Sequence, residues 1–573
     1  MTKRTEEVTQ PLIEFTDFTF QYREQKYPTL HNINLRIKAG ERILIAGPSG
    51  SGKSTLGSCL NGLVPFNSKG IITGSLQVNG TKPKSIFQMS ELVGTVLQDT
   101  DGQFIGLSSG EDIAFALENK SRPLDEMRER VRKAAQLVGA DGYLSHAPSL
   151  LSGGQKQRVS MAGILIENVP ILLLDEPLAA LDPVTGKRAI ALIDEIATRT
   201  GCTVIIIEHR IEDVLKNKID RVILLNEGRI IADCSPDEIV ISEKLVGAGI
   251  RKPLYILALE RSGVSLTREH QPGSLDSISL SENEKKHVRS WMETVKQNNN
   301  LPSNISHTDT PLLEAQNIRF SYTNTDTVAL DDVSFKLYAG EMTAIVGANG
   351  AGKSTLAKVI VGFEQLKAGN LLYNGEDMTG LTIPERAMRI GYVMQNPNHM
   401  ICKPLIYDEV ALGLRVRGYS ENEISQRIDH VLEICGLTRF RNWPISALSY
   451  GQKKRVTIAD ALALEPQMII LDEPTAGQDW RHYTEIMEFL VSLNQHGITV
   501  LLITHDMHLC LEYAKRSLVF TDGKLIADCP AYKVLADPVM AAKANLRETS
   551  LYDFSRICGI DDTIAFIQAY LDT

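Results

Sequence analysis

The sequence predicts an α/β fold that is built twice from one repeated unit. Three observations support this prediction. A glycine-rich loop lies between an apolar run and a segment that can be helical, a second apolar run ends in Asp-Glu, and both features recur in the second half of the chain. The 573 residues exceed what one ordinary core holds, so more than one domain is expected.

The composition is typical of a globular protein and limits the classes of function. Hydrophobic residues make up 43% of the chain and charged residues 23%. No apolar run reaches the roughly 18 residues of a membrane-spanning helix, and the polar start MTKRTEEVTQ predicts no secretory signal. A formal net charge of −10, from 60 Lys and Arg against 70 Asp and Glu, argues against broad nucleic-acid binding.

Five sequence landmarks recur in one order at a nearly constant spacing. GPSGSGKST returns as GANGAGKST, TVLQD as YVMQN, LSGGQKQR as LSYGQKKR, ILLLDEP as MIILDEP, and IIIEHR as LLITHD. Lys353 follows Lys53 by 300 positions, and Asp472 follows Asp175 by 297. The two halves are therefore expected to share one fold.

The repeat sets the expected boundaries between domains. The expected organisation is a first α/β domain over 11–248, a linker over 249–311, a second α/β domain over 312–540 and a C-terminal helical tail over 541–573. The linker is rich in Ser, Asn and Pro, as connecting segments are.

One helix is predicted inside this linker. Ser281 is a candidate N-cap, with Glu284 three residues later in the arrangement of a capping box. Four apolar residues then share one face at helical spacing: Val288, Trp291, Met292 and Val295. This face is expected to pack on a neighbouring domain, and a partner-binding role is the alternative.

The glycine-rich loop has the spacing of a phosphate-binding loop. Gly47, Gly52, Lys53 and Ser54 fit the pattern G-x-x-x-x-G-K-S between the apolar run ILIA and a helical segment. Glycines let backbone N–H groups surround phosphates, the lysine can reach the outer phosphates, and the serine hydroxyl can ligate Mg²⁺. The expected nucleotide contacts are Gly47, Pro48, Ser49, Gly50, Ser51, Gly52, Lys53, Ser54 and Thr55, and in the second copy Gly347, Ala348, Asn349, Gly350, Ala351, Gly352, Lys353, Ser354 and Thr355.

The second apolar run of each copy ends in two carboxylates. ILLL runs into Asp175 and Glu176, and MIIL runs into Asp472 and Glu473. Such a run predicts a strand buried on both faces of a parallel sheet, and ligands bind at the carboxyl ends of such strands. Each aspartate is therefore expected to ligate Mg²⁺, and each glutamate to orient and polarise the attacking water.

Between these features lies a short glycine-rich turn, LSGGQ at 151–155, which alone could be an ordinary helix N-cap. It ends 20 residues before Asp175, with Gln98 on one side and His209 on the other. This arrangement resembles the ATP-binding cassette (ABC) ATPases over both copies, about four-fifths of the chain. The resemblance implies two tandem P-loop NTPase domains, each with a mostly parallel sheet core, an antiparallel β part and a helical subdomain, that bind ATP with Mg²⁺ and hydrolyse it.

The resemblance also assigns roles to matched positions. Gln98 and Gln395 are implied to sense Mg²⁺ and to contact a membrane partner, and His209 and His505 to act near the γ-phosphate. The implied catalytic residues are Glu176, His209, Glu473 and His505, and the implied Mg²⁺ ligands are Ser54, Gln98, Asp175, Ser354, Gln395 and Asp472. The two signature turns add the nucleotide contacts Ser152, Gly153, Gly154 and Gln155, and Ser449, Tyr450, Gly451 and Gln452.

Two tyrosines precede the phosphate-binding loops at one spacing. Tyr22 and Tyr322 each lie 31 residues before the lysine of their loop. The resemblance implies that each stacks on adenine. A core tyrosine on an early strand is the alternative.

The two sites are not expected to be identical. The resemblance implies that the two cassettes pair head to tail within one chain, with each ATP between one phosphate-binding loop and the other signature turn. Tyr450 in the second turn stands where the first has Gly153, and a side chain there can narrow the approach to phosphate. Both copies keep their lysine, glutamate and histidine, so both are expected to hydrolyse ATP, the Tyr450-containing site more slowly.

The segments that follow the two glutamines narrow the resemblance. Residues 99–119 and 396–418, with the triplet Glu208-His209-Arg210, resemble ATPases of energy-coupling-factor (ECF) importers. This implies a transmembrane coupling protein and a substrate-binding membrane protein as partners, no nucleic acid, and a peripheral location at the cytoplasmic face of a bacterial-type membrane. The implied cargo is a vitamin-like compound, such as a thiamine precursor, or a metal ion.

Two other classes of double-cassette protein are alternatives. A ribosome-associated translation factor is expected to carry a basic arm between its cassettes, but residues 251–310 hold eight Lys or Arg and seven Asp or Glu. A fused sugar-importer ATPase is expected to have a degraded second phosphate-binding loop, whereas GANGAGKST is intact. A non-enzymatic scaffold does not explain why every group needed for hydrolysis is present twice.

Overall fold

The computed structural model describes residues 11–97, 101–178, 181–298, 310–323, 328–475, 478–546 and 548–573. The chain divides into two compact units. The first comprises residues up to 288 together with 479–481, and the second comprises 289–478 together with 482–573. We call these the first unit and the second unit.

Two sheets form the β part of the first unit. Its strands are β1 (Ile13–Tyr22), β2 (Leu30–Ile37), β3 (Arg42–Ala46), β4 (Gly70–Val78), β5 (Val93–Val96), β6 (Ile171–Asp175), β7 (Thr203–Ile207), β8 (Arg221–Asn226) and β9 (Arg229–Cys234). The main sheet has the order β5-β6-β7-β3-β8-β9, and its neighbours are parallel except for the antiparallel pair of β8 and β9. A smaller antiparallel sheet has the order β2-β1-β4.

The helices of this unit lie between and after the strands of the main sheet in chain order. They are α1 (Lys53–Leu60), α2 (Leu63–Phe66), α3 (Ile86–Ser90), α4 (Ser109–Asn119), α5 (Leu124–Val138), α6 (Gly153–Leu165), α7 (Pro183–Thr200), α8 (Ile211–Val214), α9 (Pro236–Ile241), α10 (Lys244–Gly247), α11 (Leu254–Arg261) and α12 (Glu282–Asn298), which contains the boundary at 288. Helices α4 to α6 form a helical part inserted between β5 and β6.

The second unit repeats the plan of the first. Its strands are β10 (Leu313–Ser321), β11 (Val328–Leu337), β12 (Met342–Gly347), β13 (Ala368–Tyr373), β14 (Glu376–Asp377), β15 (Ile390–Val393), β16 (Met468–Asp472), β17 (Thr499–Ile503), β18 (Arg516–Thr521) and β19 (Lys524–Cys529). The main sheet has the order β15-β16-β17-β12-β18-β19, and the antiparallel sheet has the order β11-β10-β13-β14.

The helices of the second unit follow the same sequence of elements. They are α13 (Lys353–Val361), α14 (Ile383–Ala387), α15 (Ile406–Val416), α16 (Glu421–Ile434), α17 (Tyr450–Leu462), α18 (Trp480–Gln495), α19 (Met507–Tyr513), α20 (Ala531–Leu535), α21 (Pro538–Lys543), α22 (Ser550–Ile557) and α23 (Thr563–Leu571). The inserted helical part here is α15 to α17.

Burial explains why these runs form the main sheets. The four apolar residues before Asp175 and the four before Asp472 are almost completely buried, as expected for parallel strands that are covered on both faces. Strand β1 instead alternates, and its Phe15 and Phe20 enter the core with residues of β3 and α1. The predicted α/β class, with two copies of one plan, is confirmed.

Helix α12 begins where the sequence predicts a helix. The Ser281 backbone N–H donates to Glu284 at 2.8 Å and the Glu284 N–H donates to the Ser281 hydroxyl at 3.4 Å, which is a capping box. Val288 and Met292 on the predicted apolar face are buried, and the Trp291 ring meets Phe566 edge to face. Across the described residues, every helix is too short or too polar to cross a membrane.

Candidate active sites

The predicted catalytic groups of each unit meet at the carboxyl edge of its main sheet. In the first unit the phosphate-binding loop follows β3, Asp175 ends β6, and His209 follows β7 by two residues. These three strands are adjacent in the order β6-β7-β3. The second unit has the same arrangement, with Asp472 at the end of β16 and His505 after β17. Adjacent parallel strands thus deliver groups that are distant in sequence to one edge.

Each lysine of the phosphate-binding loops folds back onto its own loop. The Nζ atom of Lys53 donates to the carbonyl oxygens of Gly47 and Pro48, both at 2.8 Å. Lys353 makes the matched contacts at 2.8 and 2.9 Å. Burial lowers the pKa of Lys53, and the charge of Glu176 opposes this. A buried ammonium group at this position is ready to bind a phosphate oxygen.

Two glycine positions in the loop have a clear steric cause. Gly52 and Gly352 precede helices α1 and α13 with φ of 99°, in the left-handed region. A Cβ atom on Gly47 would lie 2.5 Å from the Leu225 carbonyl oxygen, so the loop also approaches β8 too closely for a side chain. The glycine spacing therefore follows from the path that the backbone takes around the phosphate position.

Asp175 has the environment of a cation ligand. Burial and the neighbouring Glu176 raise the pKa of Asp175 to about 6, against a hydrogen bond from the Ser54 hydroxyl that lowers it. Its buried Oδ1 atom has no hydrogen-bond partner among the described residues. A carboxylate beside a serine hydroxyl offers the hard oxygen donors that Mg²⁺ prefers. These residues therefore fit Mg²⁺.

The matched carboxylate of the second unit has one more partner. Asp472 also accepts a hydrogen bond from the Ser354 hydroxyl, and burial raises its pKa. In addition, the Tyr392 hydroxyl donates to Asp472 Oδ2 at 3.4 Å. The first unit has Thr95 at the position of Tyr392, so its aspartate lacks this contact.

Both predicted catalytic glutamates have a strained backbone. Glu176 has φ of 47° and Glu473 has φ of 46°, in a region that non-glycine residues rarely adopt. Each backbone N–H still continues the sheet, since Glu176 donates to Ile207 at 2.9 Å and Glu473 to Ile503 at 2.8 Å. Matched strain at equivalent positions is characteristic of functional sites, where a side chain must be aimed in one direction.

The predicted catalytic histidines lie at different distances from these glutamates. His505 Nδ1 lies 2.7 Å from Glu473 Oε1, which is hydrogen-bond distance. His209 Nδ1 lies 3.8 Å from Glu176 Oε1 and 3.2 Å from Glu208 Oε1. Burial acts to raise the pKa of Glu176, but its approach to His209 and nearby cations lowers it. The histidine of the first unit is therefore shared between two carboxylates.

Each signature turn caps a helix of the inserted part. The Gln155 N–H donates to the Ser152 hydroxyl at 3.4 Å, and the Ser152 N–H donates to the Gln155 side chain at 2.9 Å. Ser449 and Gln452 form the same capping box at the start of α17. The structure thus shows the capping role of these residues, and their contact with nucleotide stays a prediction.

The two tyrosines before the loops lie beside them. The Tyr22 hydroxyl is 3.3 Å from the Thr55 hydroxyl, and the Tyr322 hydroxyl is 3.2 Å from the Thr355 hydroxyl. Each ring is partly buried and meets a phenylalanine of the same chain segment edge to face. Adenine stacking by these rings stays a prediction.

The two predicted glutamine ligands differ in what is known of them. Gln98 lies outside the described residues. The carbonyl oxygen of Gln395 accepts hydrogen bonds from the Tyr450 hydroxyl at 3.2 Å and from Lys454 Nζ at 2.9 Å. Tyr450 therefore contacts the loop of its own unit, in addition to the phosphate-facing role that its position predicts.

Sequence reasoning missed several polar groups that hold the site loops. Asp112 Oδ1 accepts the backbone N–H groups of Ile105 and Gly106 at 2.8 and 3.1 Å. Glu409, 297 positions later, accepts those of Cys402 and Lys403 at 2.9 and 2.5 Å. The sequence does contain a pattern that could have identified them, because an acidic residue follows each glutamine at the repeat spacing.

Lys454 is a second missed residue. It is completely buried, and its Nζ atom also donates to the Met394 carbonyl oxygen at 2.7 Å. Burial lowers the pKa of Lys454 to about 8. Gln157 occupies the matched position in the first unit, where it donates instead to the Pro177 carbonyl oxygen.

Three segments of the chain match models of known protein families. Residues 30–179 and 330–476 match the family model described as ABC transporter. Residues 242–320 match a model described as ATP-binding cassette cobalt transporter. The two ABC transporter matches cover both phosphate-binding loops and both Asp-Glu pairs.

The chain is similar over nearly its whole length to curated relatives and over less than half of it to a solved structure. A protein of Clostridium perfringens is 51% identical over 563 residues, 98% of each chain, and one of Vibrio vulnificus is 52% identical over 98% of this chain and 97% of its own. Both carry the provisional name of ABC transporter ATP-binding protein. The solved structure of cbiO1 from Clostridium perfringens, described as part of the ABC transporter complex cbiONQ, is 33% identical over 44% of this chain and 98% of its own, with a TM-score of 0.39.

Proposed function

The chain belongs to the ABC transporter family and hydrolyses ATP, and we propose that it does so as the energy-coupling subunit of an ECF-type importer. One observation carries the finer proposal. Residues 242–320, which follow the first cassette, match the model described as ATP-binding cassette cobalt transporter. The segments after the two glutamines and the triplet Glu208-His209-Arg210 support the same group.

In each unit we assign the lysine, the glutamate and the histidine to hydrolysis. Lys53 and Lys353 bind the outer phosphates of ATP through the Nζ atoms that otherwise contact loop carbonyls. Glu176 and Glu473 orient and polarise the water that attacks the γ-phosphorus, while the bond to the β–γ bridging oxygen breaks and leaves ADP and phosphate. The histidine beside each glutamate donates a hydrogen bond toward the γ-phosphate as charge develops.

The same geometry defines the proposed Mg²⁺ ligands. Ser54 and Asp175 would hold the ion in the first unit, and Ser354 and Asp472 in the second, where each serine hydroxyl already contacts its aspartate. When bound, Mg²⁺ neutralises charge on the outer phosphate oxygens. Gln98 and Gln395 complete the proposed set.

The importer proposal requires partners that this chain does not supply. We propose a transmembrane coupling protein and a substrate-binding membrane protein, with this chain bound at the cytoplasmic face of the membrane. The proposed cargo is a transition-metal ion or a vitamin-like compound such as a thiamine precursor. In such a complex, the conformational change that ATP hydrolysis causes in this chain would drive the membrane proteins to transport their cargo.

Affinity purification of the tagged full chain from detergent-solubilised membranes tests this proposal. Mass spectrometry of the eluate is expected to find small integral membrane proteins in stoichiometric amount, whereas an unrelated tagged ATPase recovers none of them. Recovery of ribosomal proteins instead would contradict the importer assignment. Uptake of labelled Co²⁺ and of a labelled thiamine precursor, with and without the chain, then separates the two cargo classes.

A further inference from the structure

Glu208 is a buried carboxylate beside the catalytic histidine of the first unit. Its side chain is 0% exposed. Its Oε1 atom accepts the backbone N–H groups of His209 at 2.9 Å and Arg210 at 3.1 Å, and it lies 3.2 Å from His209 Nδ1. Its Oε2 atom is buried and has no hydrogen-bond partner among the described residues. One carboxylate oxygen thus accepts two backbone N–H groups of the histidine segment and lies beside the histidine ring.

The second unit holds the matched turn with an uncharged residue. Thr504 occupies the position of Glu208 and is also completely buried. Its hydroxyl accepts the Asp506 N–H at 3.0 Å and donates to Glu473 Oε2 at 3.4 Å. A hydroxyl is therefore sufficient to hold the turn, and the extra negative charge of the first unit is not needed for the backbone path.

A buried carboxylate is costly unless a charge or hydrogen bonds compensate it. In the first unit the groups that face His209 are Glu208, Glu176 and Arg210. Arg210 directs its guanidinium to the Leu178 carbonyl oxygen. The charge of Lys53 acts on Glu208, and the imidazole of His209 in its protonated form, 3.2 Å away, offers Glu208 a second positive charge.

We propose that Glu208 is a positioning residue that holds the His209 ring next to itself and favours the charged form of that ring, a role that Thr504 does not have in the second unit. Burial acts to lower the pKa of His209, and Arg210 acts in the same direction, but Glu208 and Glu176 outweigh them and raise it. In the second unit His505 shares a single carboxylate, Glu473. The two histidines consequently differ in the number of carboxylates that lie beside them.

This inference rests on the proposed roles of Glu176 and His209 in hydrolysis. It predicts that removing the charge of Glu208 moves the alkaline limit of ATP turnover by the first-unit site to lower pH. The charge of Glu208 causes this shift, and its backbone hydrogen bonds do not.

The test measures kcat against pH for the full chain in a Glu473→Gln background, so that turnover depends on Glu176. Glu208→Gln keeps an oxygen that can accept the two backbone N–H groups and removes the charge. The alkaline limb of the profile is expected to move down by about 1 pH unit, the effect of removing one nearby charge. A limb that does not move, in a variant whose melting temperature matches its background, overturns the proposal.

The reciprocal substitution keeps the test decisive if Glu208→Gln does not fold. Thr504→Glu in a Glu176→Gln background is expected to move the alkaline limb of the second-unit site up by about 1 pH unit. An unmoved limb there also contradicts the proposal. Failure of the underlying roles is distinguishable, because the Glu176→Gln, Glu473→Gln double variant would then turn over ATP like the unmodified chain.

Discussion

His505 Nδ1 lies 2.7 Å from Glu473 Oε1, whereas the matched atoms of His209 and Glu176 are 3.8 Å apart. The two pairs follow matched strands of the two main sheets, and the residue before each histidine differs. Glu208 is the acidic neighbour in the first unit and Thr504 the neutral one in the second. Two sites with one plan therefore have different electrostatics.

Replacing the buried aspartate of the first unit is expected to stabilise the protein while abolishing its site. Burial raises the pKa of Asp175 to about 6 from an ordinary 3.8. Because the pKa of Asp175 is higher in the folded state than in the unfolded state, folding favours the protonated carboxyl group. Its stabilising contribution is fully present below the pKa of the unfolded state and is lost as the pH rises through about 6. Asp175→Asn is expected to increase the free energy of unfolding by about 1–3 kcal/mol at about pH 7.5 without Mg²⁺.

Differential scanning calorimetry of the full chain measures this change. Asp276→Asn, the same substitution at an exposed position, is the matched control and should leave the melting temperature unchanged. A gain that persists at about pH 4, where the native carboxyl is already protonated, would show that the cause is not the charge.

Lys454 is expected to control Mg²⁺ binding in the second unit through Gln395. Its Nζ atom holds the carbonyl oxygens of Met394 and Gln395. Lys454→Met, in a Glu176→Gln background, is expected to raise the Mg²⁺ concentration for half-maximal turnover by about three- to tenfold, the effect of losing one typical intramolecular hydrogen bond. The control is Lys453→Met, which removes only a 3.4 Å contact to Asn398 and should change this Mg²⁺ concentration little. If the two variants raise the Mg²⁺ concentration equally, the proposed role of Lys454 is wrong.

Tyr450 is expected to slow ATP turnover. It stands where the other signature turn has Gly153, and its ring adds bulk at a turn that is predicted to face phosphate. Tyr450→Gly is expected to increase steady-state turnover of the full chain by about two- to fivefold, within about 1 kcal/mol of barrier, and Gly153→Tyr to decrease it. The hypothesis is wrong if Tyr450→Gly turns over ATP more slowly than the unmodified chain. Tyr450→Phe keeps the bulk of the ring and removes the hydrogen bond from the hydroxyl to the Gln395 carbonyl oxygen, so it separates these two effects.

An exposed apolar pair after Gln98 is expected to contact the membrane partner. Leu107 is 86% exposed and Ile105 66%, and the Asp112 carboxylate fixes the backbone of this segment. Large exposed apolar side chains on a fixed loop are typical of binding surfaces. Leu107→Asp should reduce co-purification of membrane proteins at least about tenfold, a loss of about 1.4 kcal/mol, while ATP turnover of the purified chain stays unchanged.

The matched control for this surface is Val539→Asp in helix α21, where the side chain is 78% exposed. It should leave co-purification unchanged. Equal losses in the two variants would indicate a general effect of a new surface charge.

The sequence predicts the positions of the main groups because spacing determines them. The repeat spacing and the apolar runs place Lys53, Asp175 and their matched residues at the carboxyl edge of a parallel sheet, and Ser281 with Glu284 predicts the start of a helix. These signals are patterns in the sequence itself, so they can be recognised without the tertiary structure.

Other features depend on contacts between distant segments, and the sequence did not predict them. Lys454 is a residue type that is usually exposed, and only the tertiary structure shows its burial under two carbonyl groups. The left-handed backbone of Glu176 and the 3.2 Å approach of Glu208 to His209 likewise depend on how β6 and β7 end side by side. Contact of the signature turns with nucleotide stays a prediction.

One measurement tests the central claim that both units hydrolyse ATP through Glu176 and Glu473. It compares steady-state ATP turnover of the full chain with that of Glu176→Gln, Glu473→Gln and the double variant, at equal melting temperature. We predict that each single variant keeps part of the turnover and that the double variant loses at least about 100-fold, in the range of a lost general base. A double variant that retains the turnover of the unmodified chain would contradict the account.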